Sequence, residues 1–95
     1  MDEKLKELIT KMRVDKGWDK TDTPSILAKS TVIEAAELLE CFQFDEDNFN
    51  LEDVKGELAD VLMYALSLAM DLNLDVYEII EEKIKDVDKR YPDAR

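Results

Sequence analysis

Residues 57–70 read Glu57-Leu-Ala-Asp60-Val-Leu-Met-Tyr64-Ala-Leu-Ser67-Leu-Ala-Met70, and from Leu58 onward only Asp60, Tyr64 and Ser67 interrupt an apolar run. A segment apolar around most of its circumference is a helix buried on several sides. At about 100° per residue, with Glu57 at zero, Asp60 falls at about 300°, Tyr64 at about 340° and Ser67 at about 280°. The polar groups therefore share one stripe. A lone carboxylate buried in such a stripe costs several kcal/mol unless it is paired or holds a metal. The sequence supplies no basic residue between Lys55 and Lys83 to pair with it.

The same pattern occurs earlier in the chain. Glu34-Ala-Ala-Glu37-Leu-Leu weakly repeats Glu57-Leu-Ala-Asp60-Val-Leu. With Glu34 at zero, Glu37 lies at about 300°, inside a stripe made by Ile26, Leu27, Leu38 and Phe42, whereas Lys29, Glu40 and Gln43 lie on the opposite side. Glu40 thus reads as a solvated acid. Glu34, Glu37, Glu57 and Asp60, two per helix at i and i+3, form an all-oxygen nest when the helices run antiparallel. Its natural occupant is a hard cation, Mg²⁺ or Mn²⁺, and not zinc or copper. The rival oxygen site, Asp45-Glu46-Asp47-Asn48-Phe49-Asn50, lacks the glycine of a calcium-binding loop and has Phe49 where an oxygen ligand belongs.

Working outward, helical spacing of Leu5, Leu8, Ile9 and Met12 gives a first helix from Asp2 to about Val14, ending near Gly17. A polar, turn-like stretch follows, and Thr23-Pro24 reads as an N-cap with proline at the first helical position of a second helix to about Gln43. Asn50 with Asp53 caps a third helix, Leu51 to Asp71. Asp75 caps a fourth that Tyr91-Pro92 stops near Arg90. Two glycines and two prolines in 95 residues fit long helices with short connections, and the length fits one domain, residues 1–95. The predicted fold is all-α, an antiparallel four-helix bundle. The helix at 51–71 needs more cover than one short chain provides, so an intertwined dimer or a dimer of dimers is expected, with its site lined by more than one subunit.

Composition removes whole classes of chemistry. The chain has no histidine, which excludes Ser-His-Asp and Cys-His nucleophiles, zinc deaminase sites and Glu-x-x-His di-iron bundles. A formal net charge of -11 repels nucleic-acid polymers and anionic membrane surfaces, so an anionic substrate needs a cation as intermediary. The single cysteine, Cys41, and the lack of an apolar leader or span predict a cytoplasmic protein.

These residues resemble the MazG-like superfamily of all-α nucleoside triphosphate pyrophosphohydrolases. The resemblance rests on Glu34-x-x-Glu37 followed by Glu57-x-x-Asp60, with Gly17-Trp18-Asp19, the run from Glu34 to Phe44, Gly56 to Tyr64, Lys83 and Arg90-Tyr91-Pro92 around them. It extends from about Arg13 to Pro92 and is strongest toward the compact single-domain branch that includes dCTP pyrophosphatases. It implies a MazG-type fold and Mg²⁺-dependent hydrolysis of a nucleoside triphosphate to monophosphate and pyrophosphate, usually as nucleotide-pool house-cleaning. Carried over, Glu34, Glu37, Glu57 and Asp60 match the metal ligands, and Glu34 or Glu37 is the candidate proton acceptor. Trp18 and Phe44 match aromatic positions flanking the base, and Tyr64 a tyrosine near the nucleotide. Lys83, Lys89, Arg90 and Tyr91 match a basic cluster near the phosphates or sugar. The chain departs from the dCTP-directed members at Thr21, Asp22, Ile26 and Val87, positions that help to read base or sugar. The rival reading from another class is a non-catalytic acidic interaction module or a degenerate family member.

Overall fold

The structure is a computed structural model, and it describes residues 1–94. Every regular element among them is helical: α1 (Glu3–Lys16), α2 (Trp18–Thr21), α3 (Pro24–Glu40), α4 (Leu51–Asp71) and α5 (Val76–Arg90). The caps are local and chemical. The side chains of Asp2, Thr23, Asn50 and Asp75 accept from the backbone N–H of Leu5, Ile26, Asp53 and Glu78, which satisfies an orphan donor at each long helix.

Two stretches differ from the sequence expectation. Trp18–Thr21, expected as a turn, is one helical turn, because Gly17 takes a left-handed φ of 75° that ends α1 and starts α2 at once. Helix α3 stops at Glu40 and not near Gln43. There the N–H groups of Cys41, Phe42 and Gln43 bond three residues back. This tighter winding turns the chain so that the rings of Phe42 and Phe49 meet with centroids 4.8 Å apart.

Among the described residues α3 and α4 form the one extensive pair of long helices, and Arg13 joins α1 to the end of α4. Leu27 of α3, Ile9 of α1 and Ala69 of α4 are the buried apolar residues among those described, Leu27 fully so. Arg13 of α1 is also buried, 6% exposed, and its guanidinium donates to both carboxylate oxygens of Asp71 at 2.9 and 2.8 Å. This two-point contact fixes the end of α1 against the end of α4. It raises the Arg13 pKa and lowers that of Asp71, in both cases chiefly through the hydrogen bonds between them.

Helix α5 packs extensively on no other element, and Tyr77, Ile80 and Ile84 are more than half exposed. On α3 and α4, Val32, Ile33, Leu39 and Leu62 are likewise open to solvent. The radius of gyration is 15.9 Å, against about 12 Å for a compact chain of this length.

Losing one partner of the Arg13–Asp71 pair should cost more than losing both. Asp71→Ala leaves a buried guanidinium and is expected to destabilise by about 3 kcal/mol, whereas Arg13→Met with Asp71→Leu should recover most of that loss. Urea titrations of the three proteins measure it, and a double variant no more stable than Asp71→Ala would show that the pair is not what joins α1 to α4.

Candidate metal and nucleotide site

The i, i+3 spacing on α3 and the packing of α3 against α4 bring three acids together. Glu34, Glu37 and Glu57 each offer a carboxylate oxygen, and these oxygens lie within 4.8 Å of one another. Asp60, one turn along α4 from Glu57, stands beside the trio without joining it, and its charge raises the pKa of both Glu34 and Glu57. The Oε2 atoms of Glu34 and Glu57 are buried and accept no hydrogen bond. Among the described residues no ion pair reaches any of the four acids.

The cost of this crowding appears in the titration of the acids. The Glu34 carboxyl is pushed up to about 7, first by a hydrogen bond shared with Glu37, then by burial, then by the charges of Glu37, Asp60 and Glu57. Burial is the main cause at Glu57, followed by Glu37. Burial likewise raises Tyr64, with Glu34, Asp22 and Asp60 adding to it. Two buried carboxylate oxygens without donors, in an all-oxygen set that no cation of the described residues pairs with, fit a hard divalent ion.

Beside the acids, between α1–α2 and α4, lies a cavity of about 270 Å³. The polar stripe of α4 opens into it through Asp60, Tyr64 and Ser67, opposite Trp18. Met12 and Met63 supply apolar wall, and Arg13, Lys16 and Asp22 complete the lining. Trp18 and Tyr64 thus stand together next to the acids. Phe44 does not: it is 92% exposed beyond the end of α3.

Nor does this chain bring Lys83, Arg90 or Tyr91 to its own acids. They ride on or just after α5, where Lys83 and Arg90 both pair with Asp86 and the Arg90 guanidinium lies 5.6 Å from the Tyr91 ring centre. Asp22 was read from the sequence only as a departure, and Arg13 and Lys16 were given no role in the site. Reading Trp18–Thr21 as a helical turn would have exposed the first of these, since Trp18 and Asp22 then fall on one side at i and i+4.

The family profile described as MazG-like matches residues 29–94. Among solved structures the chain is similar to a pyrophosphatase from Archaeoglobus fulgidus, with 34% identity over 96% of this chain and 92% of that one and a TM-score of 0.83. No curated protein matches.

Glu34 keeps its proton in the fold up to about 7, whereas an ordinary glutamate releases it near 4.5. Between those values the folded chain binds more protons than the unfolded one, so this group's contribution to stability falls as pH rises. Metal-free protein should therefore lose melting temperature from pH 5 to pH 8 relative to Glu34→Gln, and millimolar Mg²⁺ should restore it at pH 8. Parallel melting curves for the two proteins, with no response to Mg²⁺, would contradict a metal-seeking cluster.

Proposed function

The chain belongs to the MazG-like family, and on that footing we propose that it is a Mg²⁺-dependent nucleoside triphosphate pyrophosphohydrolase. It would cleave between the α and β phosphorus to give monophosphate and pyrophosphate. The observation that carries this reading is the convergence of Glu34, Glu37 and Glu57 with two buried, donorless carboxylate oxygens. The likeness to a pyrophosphatase across nearly the whole chain supports it.

Glu34, Glu37, Glu57 and Asp60 would hold the ion, Mg²⁺ or Mn²⁺, which when bound neutralises triphosphate charge and acidifies water for in-line attack. The protein's own residues do the rest. With no histidine in the chain, we assign removal of the proton from the attacking water to a carboxylate. Glu34, whose carboxyl is pushed up to about 7 beside Glu37, and Glu37 itself are the groups for it. The cavity beside Asp60 takes the nucleoside, with the rings of Trp18 and Tyr64 as faces for the base. Among the described residues no helix is long and apolar enough to cross a membrane. The role we assign to the activity is nucleotide-pool house-cleaning in the cytoplasm.

The assembly is a homodimer or homotetramer. Exposed Val32, Ile33, Leu62, Ile80 and Ile84 are the surfaces that a second copy covers. A second copy is also the means by which Phe44, Lys83, Arg90 and Tyr91 would reach an acid cluster.

Incubation with a panel of ribo- and deoxyribonucleoside triphosphates should release pyrophosphate with Mg²⁺ and none with EDTA. Glu37→Gln should lower turnover by about a hundredfold or more while leaving the helical content intact. A folded protein that turns over none of the panel would favour the non-catalytic module instead. Light scattering at micromolar concentration should give two or four times the chain mass, and a monomeric mass would defeat the assembly.

A further inference from the structure

The acids of the candidate site and the aromatic wall beside them belong to different parts of the chain. Glu34, Glu37, Glu57 and Asp60 ride on α3 and α4, which pack extensively on each other, whereas Trp18 stands on α2. Helix α2 buries no residue of its own, and Trp18 is 41% exposed where it lines the cavity. Its position is therefore inherited from α1. Helix α1 in turn buries only Ile9 and Arg13, one turn apart on the same face. Ile9 is an apolar contact and tolerates sliding. Arg13 donates from both terminal nitrogens to Asp71, the last residue of α4, and a planar two-point contact fixes angle as well as distance. Among the described residues nothing else holds the guanidinium, because its Nε is buried without a partner. Lys16, the other cation of the cavity lining, enters no ion pair among the described residues.

The backbone passes that hold on from Arg13 to Trp18. The Gly17 N–H donates to the carbonyls of Arg13 and Val14, the Lys20 N–H to Gly17 at 3.3 Å and the Asp22 N–H to Trp18 at 2.9 Å. A stretch bonded at every turn moves as one piece. The Arg13 charge also acts on this stretch directly: its pKa is raised first by hydrogen bonding to Asp71 and, against the cost of burial, by the charges of Asp71, Asp22 and Asp19. The guanidinium thus attracts both α4 and the acids around the α2 turn. We propose that Arg13 is a positioning residue of the nucleotide site, which through its hold on Asp71 sets where the Trp18 ring stands against the base. This inference rests on the nucleotide reading given above. Without the contact the acids on α3 and α4 keep their place and the stacking face does not. A face that stacks equally well on substrate and transition state supplies uniform binding, so its misplacement raises KM and leaves kcat. Every base has a face to stack, so the loss is shared by all of them.

Two variants test it. Arg13→Met with Asp71→Leu removes the contact without leaving a buried charge, and Arg13→Lys keeps the charge but replaces the planar fork by a point. With Mg²⁺, the double variant should raise KM for every triphosphate used by about tenfold, Arg13→Lys by less, and both should hold kcat within about threefold of wild type. Trp18 is the single tryptophan of the chain, so its fluorescence reports the wall directly. Without substrate, acrylamide should quench it more readily in both variants than in wild type. A merely structural residue would instead lower kcat with the folded fraction, at unchanged KM and unchanged quenching of the folded protein. Wild-type KM or wild-type quenching in a folded variant would overturn the inference, and Arg13→Lys carries the test alone if the double variant does not fold. Absence of metal-dependent turnover by the wild-type chain for every triphosphate would defeat the nucleotide reading and this role with it. Quenching, which needs no substrate, would then show separately whether Arg13 holds Trp18.

Discussion

The molecule is organised around a repulsion. Three glutamate oxygens are held within 4.8 Å of one another, two of the carboxylates keep an oxygen buried without a donor, and among the described residues no cation pairs with them. Nothing in the cluster itself favours that arrangement. The force that maintains it is the packing of α3 on α4, the one extensive helix pair in the fold. The i, i+3 spacing ensures that any register which buries the apolar stripes also brings the acids face to face. The sequence cannot satisfy the hydrophobic stripes without crowding the carboxylates, so the raised pKa of Glu34 and Glu57 is a direct record of the fold.

The same pairing explains how the acids and the cavity come to be neighbours. Asp60, Tyr64 and Ser67 continue the stripe of α4 beyond Glu57, and α1 with its one-turn extension closes over them. The Arg13–Asp71 contact sets how far α1 can slide, because a planar two-point contact between a buried guanidinium and a carboxylate tolerates little displacement. Gly17 then turns the chain so that Trp18 and Asp22 reach the cavity together. Acids on one pair of helices and a slot on the adjoining face suit a ligand that is anionic at one end and flat at the other.

Much of this is legible in the residues because it depends on local periodicity. The stripe of Asp60, Tyr64 and Ser67 and the shared face of Glu34 and Glu37 follow from about 100° per residue, although Glu37 remains exposed where Glu34 is half-buried. The caps at Thr23, Asn50 and Asp75 follow from side-chain chemistry, and the structure has all three. What periodicity could not give was long-range or too short to be periodic. Arg13 finds Asp71 across 58 positions of sequence, and nothing near either residue announces the other. Trp18–Thr21 is a single turn, below the length at which a helical pattern exists. The early end of α3 depends on Phe42 meeting Phe49 across the loop, a contact between residues on opposite sides of an aperiodic stretch.

Helix α5 shows where sequence reasoning and a single chain part company. Its residues make a well-capped helix with an apolar face, and Lys83, Arg90 and Tyr91 sit on or beside it as the family resemblance implies. The chain nevertheless leaves that face uncovered and pairs the two basic residues with Asp86. Pairs so exposed contribute little to stability and separate easily. A helix without extensive packing on any other described element, its cations held only by weak local partners, keeps apolar and charged groups free for further contacts. Carboxylates also outnumber cations at the site, where Arg13 is committed to Asp71 and Lys16 is the other basic residue of the cavity lining. Under the proposed assembly the uncovered apolar face and the unbalanced charge of the site are one deficiency, which a second copy that covered α5 and brought cations to the acids would meet.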